Sequence, residues 1–369
     1  MFTRRHCEFS GARRSRGLSL VELLVAVAIS LIASIAIFQV FAVYEGQKRT
    51  TTSGGDAQTN AALGLFTIER DVRMAGYGLN SLDFLGCVIN GWDEQAGGGT
   101  AFTLTFVPVL ITQGAAGAPD TVEVLYGNGD LLPNPANITQ NMPDPAAVYK
   151  VSNRYGFQEG NLVVAVETGK PCTLAQVSTL PGTLGDTDNV IHNSGTYTDP
   201  TTGAQLPTRY NKPAGLGTPY TTNGKLFNLG SLPLDNVYSV QNGQLMLQQR
   251  LSGPTTLAAQ AIFDGIVQIQ AQYGKDLVGN DGIVDTFDEV TPATQAAWTQ
   301  VLAVRIAVVA RASQYEKEEV SPATIKLWPD SAVAPTTVGP VWTLTADDRH
   351  YRYKVFQTTV PLRNMIWKP

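Results

Sequence analysis

The sequence predicts an α+β chain, with one long N-terminal helix followed by an enlarged antiparallel β-sheet domain. Three observations predict it. Residues 18–43 form an apolar run that contains neither Pro nor Gly. Between residues 57 and 75, apolar side chains recur at three- and four-residue spacing, which is one face of a helix. From about residue 100 the pattern changes to short β-like runs between Gly, Pro and Asn clusters.

The apolar run comes first. As a helix it would be about 39 Å long, enough to cross a bilayer with about 30 Å of hydrocarbon. Ser19, Ser30, Ser34 and Gln39 are polar exceptions, and Glu22 is the one acid. A carboxylate at bilayer depth costs roughly 2.5–3.5 kcal/mol, so Glu22 needs a partner or a task. Arg4, Arg5, Arg13, Arg14 and Arg16 precede the run and hold the leader on the cytoplasmic side. Three readings compete: an uncleaved signal anchor, a secretory signal peptide cut after Val40-Phe41-Ala42, and a leader cut between Gly17 and Leu18. Glu22 argues against the first two, because an acid inside a signal's apolar stretch only weakens insertion.

The combination of basic leader, Gly17, Leu18, Ser19, Glu22 and apolar run resembles the type III signal of type IV pilins and pseudopilins. Leu18 stands where that family usually has Phe. The resemblance implies cleavage after Gly17 and N-methylation of Leu18 by a prepilin peptidase, with Glu22 acting in assembly.

After residue 43 the chain turns polar, and Gly54-Gly55 predicts a break or bend. A second, amphipathic helix follows, with Asp56 able to cap its start and Gly76 able to stop it. Glu69, Arg70, Asp71 and Arg73 fall largely away from the apolar face and read as a solvated surface. The segment 70–77, Arg-Asp-Val-Arg-Met-Ala-Gly-Tyr, with Gly86-Cys87 shortly after, resembles the signature after the first helix of PilW-type minor pilins. Gln272-Tyr273-Gly274, the stretch from Asp276 to Asp285, Val304-Arg305-Ile306, Val308-Val309-Ala310-Arg311 and Pro361-Leu362-Arg363-Asn364 add a looser likeness. It implies a pilin-like fold in which the helix packs its apolar face on an antiparallel sheet. The boundaries expected are 1–17 for the leader, 18–43 for the membrane and filament-core helix, 44–79 for the amphipathic segment and 80–369 for a periplasmic β-rich domain.

Predicted strands cover residues 102–111, 121–126, 147–152, 162–167, 173–179, 262–273, 302–312 and 351–362. Runs 237–240 and 244–251 flank Gln241-Asn242-Gly243, the strongest hairpin signal. Residues 293–300 predict one or two helical turns, and 186–222 long surface loops.

Composition narrows the function. The net charge is −5 with 15% charged residues, and losing the arginine-rich leader makes the chain more acidic still. Such a chain is a poor nucleic-acid binder. Cys7 leaves with the leader. Cys87 and Cys172 remain as the one candidate disulfide in an oxidising compartment; two separate buried thiols are the alternative. The loop holding Asp276, Asn280, Asp281 and Asp285 has the oxygen donors calcium prefers. The EF-hand register fails there, however, and a turn built on Asn and Asp explains the same letters. No Gly-x-Ser-x-Gly, Walker loop or zinc helix is present. His350 reads as a surface residue, and Arg305 and Arg311 as one polar strand face.

The resemblance to PilW-type proteins implies a non-enzymatic minor pilin without a cofactor, acting in initiation or at the tip of a type IV pilus. Its partners would be other minor pilins, the major pilin, the inner-membrane assembly platform, the prepilin peptidase and a tip adhesin. It would sit in the inner membrane as a single-pass protein with a cytoplasmic N-terminus, then in the pilus on the cell surface. A type II secretion minor pseudopilin shares the same anchor. A membrane-anchored periplasmic hydrolase is a third reading, in which Glu22 would be incidental.

Overall fold

The computed structural model describes residues 19–79, 81–95, 98–129, 134–146, 148–183, 185, 188–251 and 258–366. The described residues up to Thr52 and those from Ser53 onward form two separate compact units. Helix α1 (Leu20–Met74) is assigned without interruption. The expected break at Gly54-Gly55 is absent, and Asp56 lies inside the helix rather than at a cap. Each glycine costs about 1 kcal/mol relative to alanine, but a helix already nucleated propagates through such a cost. Gly76, at φ +79°, follows the helix in the left-handed conformation glycine favours, as expected of a stop.

Among the described residues of the second unit, three larger sheets carry the fold. The first runs in the order β2 (Thr100–Thr105), β1 (Val88–Asp93), β8 (Cys172–Gln176), β7 (Leu162–Val166), β12 (Lys225–Gly230), β5 (Ala136–Asn137). The second runs β15 (Gln260–Asp264), β14 (Gln244–Gln249), β13 (Leu234–Gln241), β4 (Thr121–Tyr126), β3 (Val109–Thr112). The third runs β20 (Thr336–Thr337), β17 (Thr286–Asp288), β16 (Ile266–Lys275), β18 (Val301–Arg311), β22 (Tyr353–Pro361). Three two-stranded ribbons pair β6 (Tyr149–Lys150) with β9 (Asn189–Val190), β10 (Thr196–Thr198) with β11 (Gln205–Pro207), and β19 (Thr324–Lys326) with β21 (Val341–Thr343).

The second and third sheets enclose the apolar face of α1. Ala57, Ala61, Leu65, Ile68, Val72 and Ala75 share one core with side chains from both sheets, including Val122, Val124, Ile269, Val304, Ile306 and Val360. Burying a Leu, Ile or Val fully is worth about 1.5–3 kcal/mol, so this face is enough to seat the helix. Gly64 permits the close approach: a Cβ there would lie 2.9 Å from Ile266 Cδ1 and 3.2 Å from Leu245 Cδ2. The first sheet builds two further cores, one around Phe106 and Phe227 and one around Tyr149 and Tyr220.

Asn242 and Gly243 have φ of 51° and 75° between the paired residues Gln241 and Gln244, the two-residue turn expected of Asn-Gly. Two expected strands are divided. Run 102–111 breaks between β2 and β3 beside Pro108, which has no N–H to give a ladder. Run 262–273 breaks at Gly265, φ 77°. The helical turns expected at 293–300 form α2 (Gln295–Trp298), whose Thr294 hydroxyl accepts from Ala297 N. Helix α3 (Arg363–Ile366) ends the described chain.

Candidate functional site

Gly17 and Leu18, the expected cleavage and methylation positions, lie outside the described residues. Ser19 and Glu22 are described and bond each other. The Ser19 backbone N–H donates to Glu22 Oε2 at 3.0 Å, and the Glu22 N–H donates to Ser19 Oγ at 3.2 Å. This is a capping box at the first turn of α1, and a carboxylate there also meets the positive end of the helix dipole. The pattern Ser-x-x-Glu before an apolar run was readable in the sequence. Along the same helix, large apolar side chains such as Leu20, Val21, Ile32, Phe38 and Phe41 are exposed. The helix is long and apolar enough to cross a membrane.

The 70–77 segment divides between two environments. Arg73 pairs with Glu69 and Arg70 is mostly exposed, as a solvated face requires. Asp71 is not solvated: it is 1% exposed. Its Oδ2 accepts from Asn236 Nδ2 at 2.6 Å and Tyr238 OH at 2.5 Å, and its Oδ1 accepts from Tyr126 OH at 3.3 Å. Tyr126 lies on β4 and the other two on β13, so one carboxylate ties the helix to two neighbouring strands. Burial, with the Asp71 charge beside them, raises the pKa of both tyrosine hydroxyls. They therefore stay protonated donors. Helical periodicity alone could not reveal this, because the partners are more than fifty residues away.

On the opposite face of those strands, Arg250 holds two acids. Its Nε meets Asp235 Oδ2 at 2.6 Å, and its Nη2 bonds Glu123. Asp235 is fully buried, and its Oδ1 has no hydrogen-bond partner among the described residues. A proton shared between the acids would let one donate to the other. Burial and then the nearby Asp235 push Glu123 up to about 7; burial also raises Asp235. The folded chain thus keeps a proton that the unfolded chain releases. Stability from this site is present below pH 4.5, the unfolded value, and is lost as pH rises towards 7. The urea midpoint of the wild type should therefore fall more between pH 5 and 7.5 than that of Glu123→Gln. Equal falls in the two proteins would refute the shared proton.

Cys87 and Cys172 are joined as a disulfide, with Cα atoms 6.1 Å apart. In the calcium-candidate loop, the acids serve the backbone. Asp276 Oδ2 accepts from Gly282 N at 2.8 Å, Asp281 Oδ1 from Ile283 N at 2.9 Å, and Asp285 Oδ2 from Leu277 N and Val278 N at 2.8 and 2.7 Å. Asn280 takes a positive φ of 49°. Among the described residues no group of three or more His, Cys, Asp or Glu is arranged to hold a metal. These bonds are those of a braced turn.

Arg305 differs from the expected polar strand face. It is 6% exposed, lies 4.6 Å from the Phe287 ring and 4.3 Å from the Trp328 ring, and donates to Gln272 Oε1 at 2.8 Å. Burial lowers its pKa to about 10. Arg311 remains partly exposed and pairs with Asp348 at 3.5 Å. His350 is half-buried, stacked on Tyr315 with Nδ1 2.9 Å from Glu316 O. His192 stacks on Tyr149 in another part of the unit.

Comparison with known proteins fits this arrangement. Residues 12–38 match the prokaryotic N-terminal methylation motif, a span that includes Gly17, Leu18 and Glu22. An apolar helix under that motif, continuing into a large antiparallel-rich β domain, is a pilin-like arrangement. Residues 236–364 match the type IV pilus-assembly protein W family, from the Asp71 partner Asn236 through β22. The chain is thus similar to type IV pilus pilins of the PilW type over its C-terminal third, and to prepilins at its N-terminus. The 70–77 segment lies outside both matched spans. No curated protein and no solved structure matches the chain.

Proposed function

We propose that this chain is a non-enzymatic minor pilin that helps initiate type IV pilus assembly and resides at or near the tip. The observation that carries the proposal is the exposed apolar helix beneath a methylation motif that contains Gly17, Leu18 and Glu22. Such a helix is held in the inner membrane before assembly, with the leader cytoplasmic and the β domain periplasmic. In the filament it exchanges lipid contacts for helix contacts. Leu63 and Phe66 extend the exposed apolar surface to the outer side of α1 in the second unit. The partners are other minor pilins, the major pilin, the assembly platform and a tip adhesin, after processing by the prepilin peptidase.

Mass spectrometry of sheared, purified pili tests the proposal. The chain should be present and should begin at a methylated Leu18. An intact Met1, or a start after Ala42, would rule the processing out. Presence in a type II secretion pseudopilus would favour that assembly instead.

Glu22 has a sharper test because the capping box separates two roles. Gln preserves the box, since either Glu or Gln can serve at its position, but removes the charge. Val removes both. Glu22 is proposed to pair with the terminal amine of a neighbouring subunit and set axial register. Glu22→Gln should then insert and be cleaved normally yet enter pili poorly, much as Glu22→Val does. If Glu22→Gln enters pili at the wild-type level, capping is the whole task of this acid.

A further inference from the structure

Among the described residues, strand β22 has one neighbour, β18, and lies at the border of its sheet. The nine residue pairs from Ala303↔Pro361 to Arg311↔Tyr353 run without a register shift. Leu362 N donates to Leu302 O at 2.8 Å and Ala312 N to Arg352 O at 2.9 Å, one at each end of the ladder. Bonded and non-bonded pairs alternate in an antiparallel ladder. The backbones of Lys354, Phe356, Thr358 and Val360 therefore face β18. Those of Tyr353, Val355, Gln357 and Thr359 face outward, and no hydrogen bond reaches them among the described residues.

Natural edges are usually blunted by shortness, bulges, proline, inward-pointing charges or exposed charged side chains such as lysine, and here Lys354 is the exposed charge on the strand. This edge is long and unbulged, and its proline, Pro361, stands only at the end. Only another extended backbone matches a row of alternating donors and acceptors at strand spacing. Val355 and Phe356 lie on opposite faces of the strand and are each half-covered, packed against separate apolar clusters. An added strand would extend both clusters.

Charge selects the occupant. Residues 349–364 contain Arg349, Arg352, Lys354 and Arg363 and no acid. Arg349 and Arg352 pair with Glu319 and Glu316. Lys354 and Arg363 are exposed and make no ion pair among the described residues. A second copy of this strand would bring the same cations to the edge, and like charges on paired strands repel.

We propose that the outer edge of β22 receives an extended, acid-bearing segment of a neighbouring pilus subunit as an added β-strand. This rests on the chain being a pilus subunit. Residue-resolved amide exchange tests it by comparing the full chain in detergent with the full chain in sheared pili. In detergent, Val355, Gln357 and Thr359 should exchange fast beside slow Phe356, Thr358 and Val360. In pili the outward amides should slow at least about tenfold. Unchanged outward exchange in pili would overturn this inference alone, whereas absence of the chain from pili would overturn the pilus reading with it. Slowing in detergent as concentration rises would assign the edge to a second copy and also overturn it. Gln357→Pro removes one outward N–H and spares the β18 ladder. It should reduce pilus incorporation at least about tenfold with an unchanged melting temperature in detergent. Wild-type incorporation of that variant would count against the strand.

Discussion

Asp71→Ala is expected to destabilise the full chain by about 3–5 kcal/mol, measured by urea unfolding in detergent. The substitution strands Asn236 Nδ2, Tyr238 OH and Tyr126 OH in a buried site, and each stranded donor costs about 1–3 kcal/mol. The longer Tyr126 contact contributes least. Arg70 adds little, because its guanidinium is 66% exposed and solvent screens the pair. Against a typical stability of about 5–15 kcal/mol, the loss is large. Asp71→Asn keeps one oxygen acceptor and should lose less. A loss below about 1 kcal/mol for Asp71→Ala would mean that water or a rearranged side chain replaces the carboxylate.

Reduction of Cys87–Cys172 is expected to have a comparable effect. The bond closes a sequence separation of 85 residues, worth roughly 4–5 kcal/mol in the chain-entropy model, with measured values often smaller. Its position adds a local role. β1 meets β8 in parallel through two register pairs, Ile89↔Cys172 and Asn90↔Thr173, and the disulfide clamps this short junction. Dithiothreitol should lower the urea midpoint of the wild type, and the Cys87→Ala/Cys172→Ala double variant should unfold at that lower midpoint under both conditions. Matching midpoints for the oxidised, reduced and variant proteins would refute the contribution, as would two alkylatable thiols in the purified chain.

The parts legible in the sequence are those governed by local chemistry. The apolar run, the 57–75 stripe, the Asn242-Gly243 turn and the Gly76 stop each follow from neighbouring residues, and the structure contains them all. Pro108 and Gly265 were equally visible, yet their effect in dividing two strands depends on how the chain pairs. Gly54-Gly55 shows the reverse: a local breaking tendency yields to helix propagation. Asp71 and Arg305 read as polar faces in the sequence yet are buried, because burial is a property of distant contacts. Asp71 finds Tyr238 across 167 positions, and Arg305 finds Gln272 across 33. The Ser19–Glu22 box is local as well: its Ser-x-x-Glu spacing marks the start of α1, whatever the charge of Glu22 does.

The Asp71 cluster has a mechanical consequence. Apolar packing resists separation of α1 from its sheets, and its interdigitated side chains resist sliding along the helix axis only until they hop to the next fit. Directional bonds do not tolerate such a slip. Asp71 reaches β13 and β4 together, so a pull along α1 would strain those bonds in shear, like a key in its slot. In a filament that transmits tension, this carboxylate would govern how far the helix can creep before the domain yields.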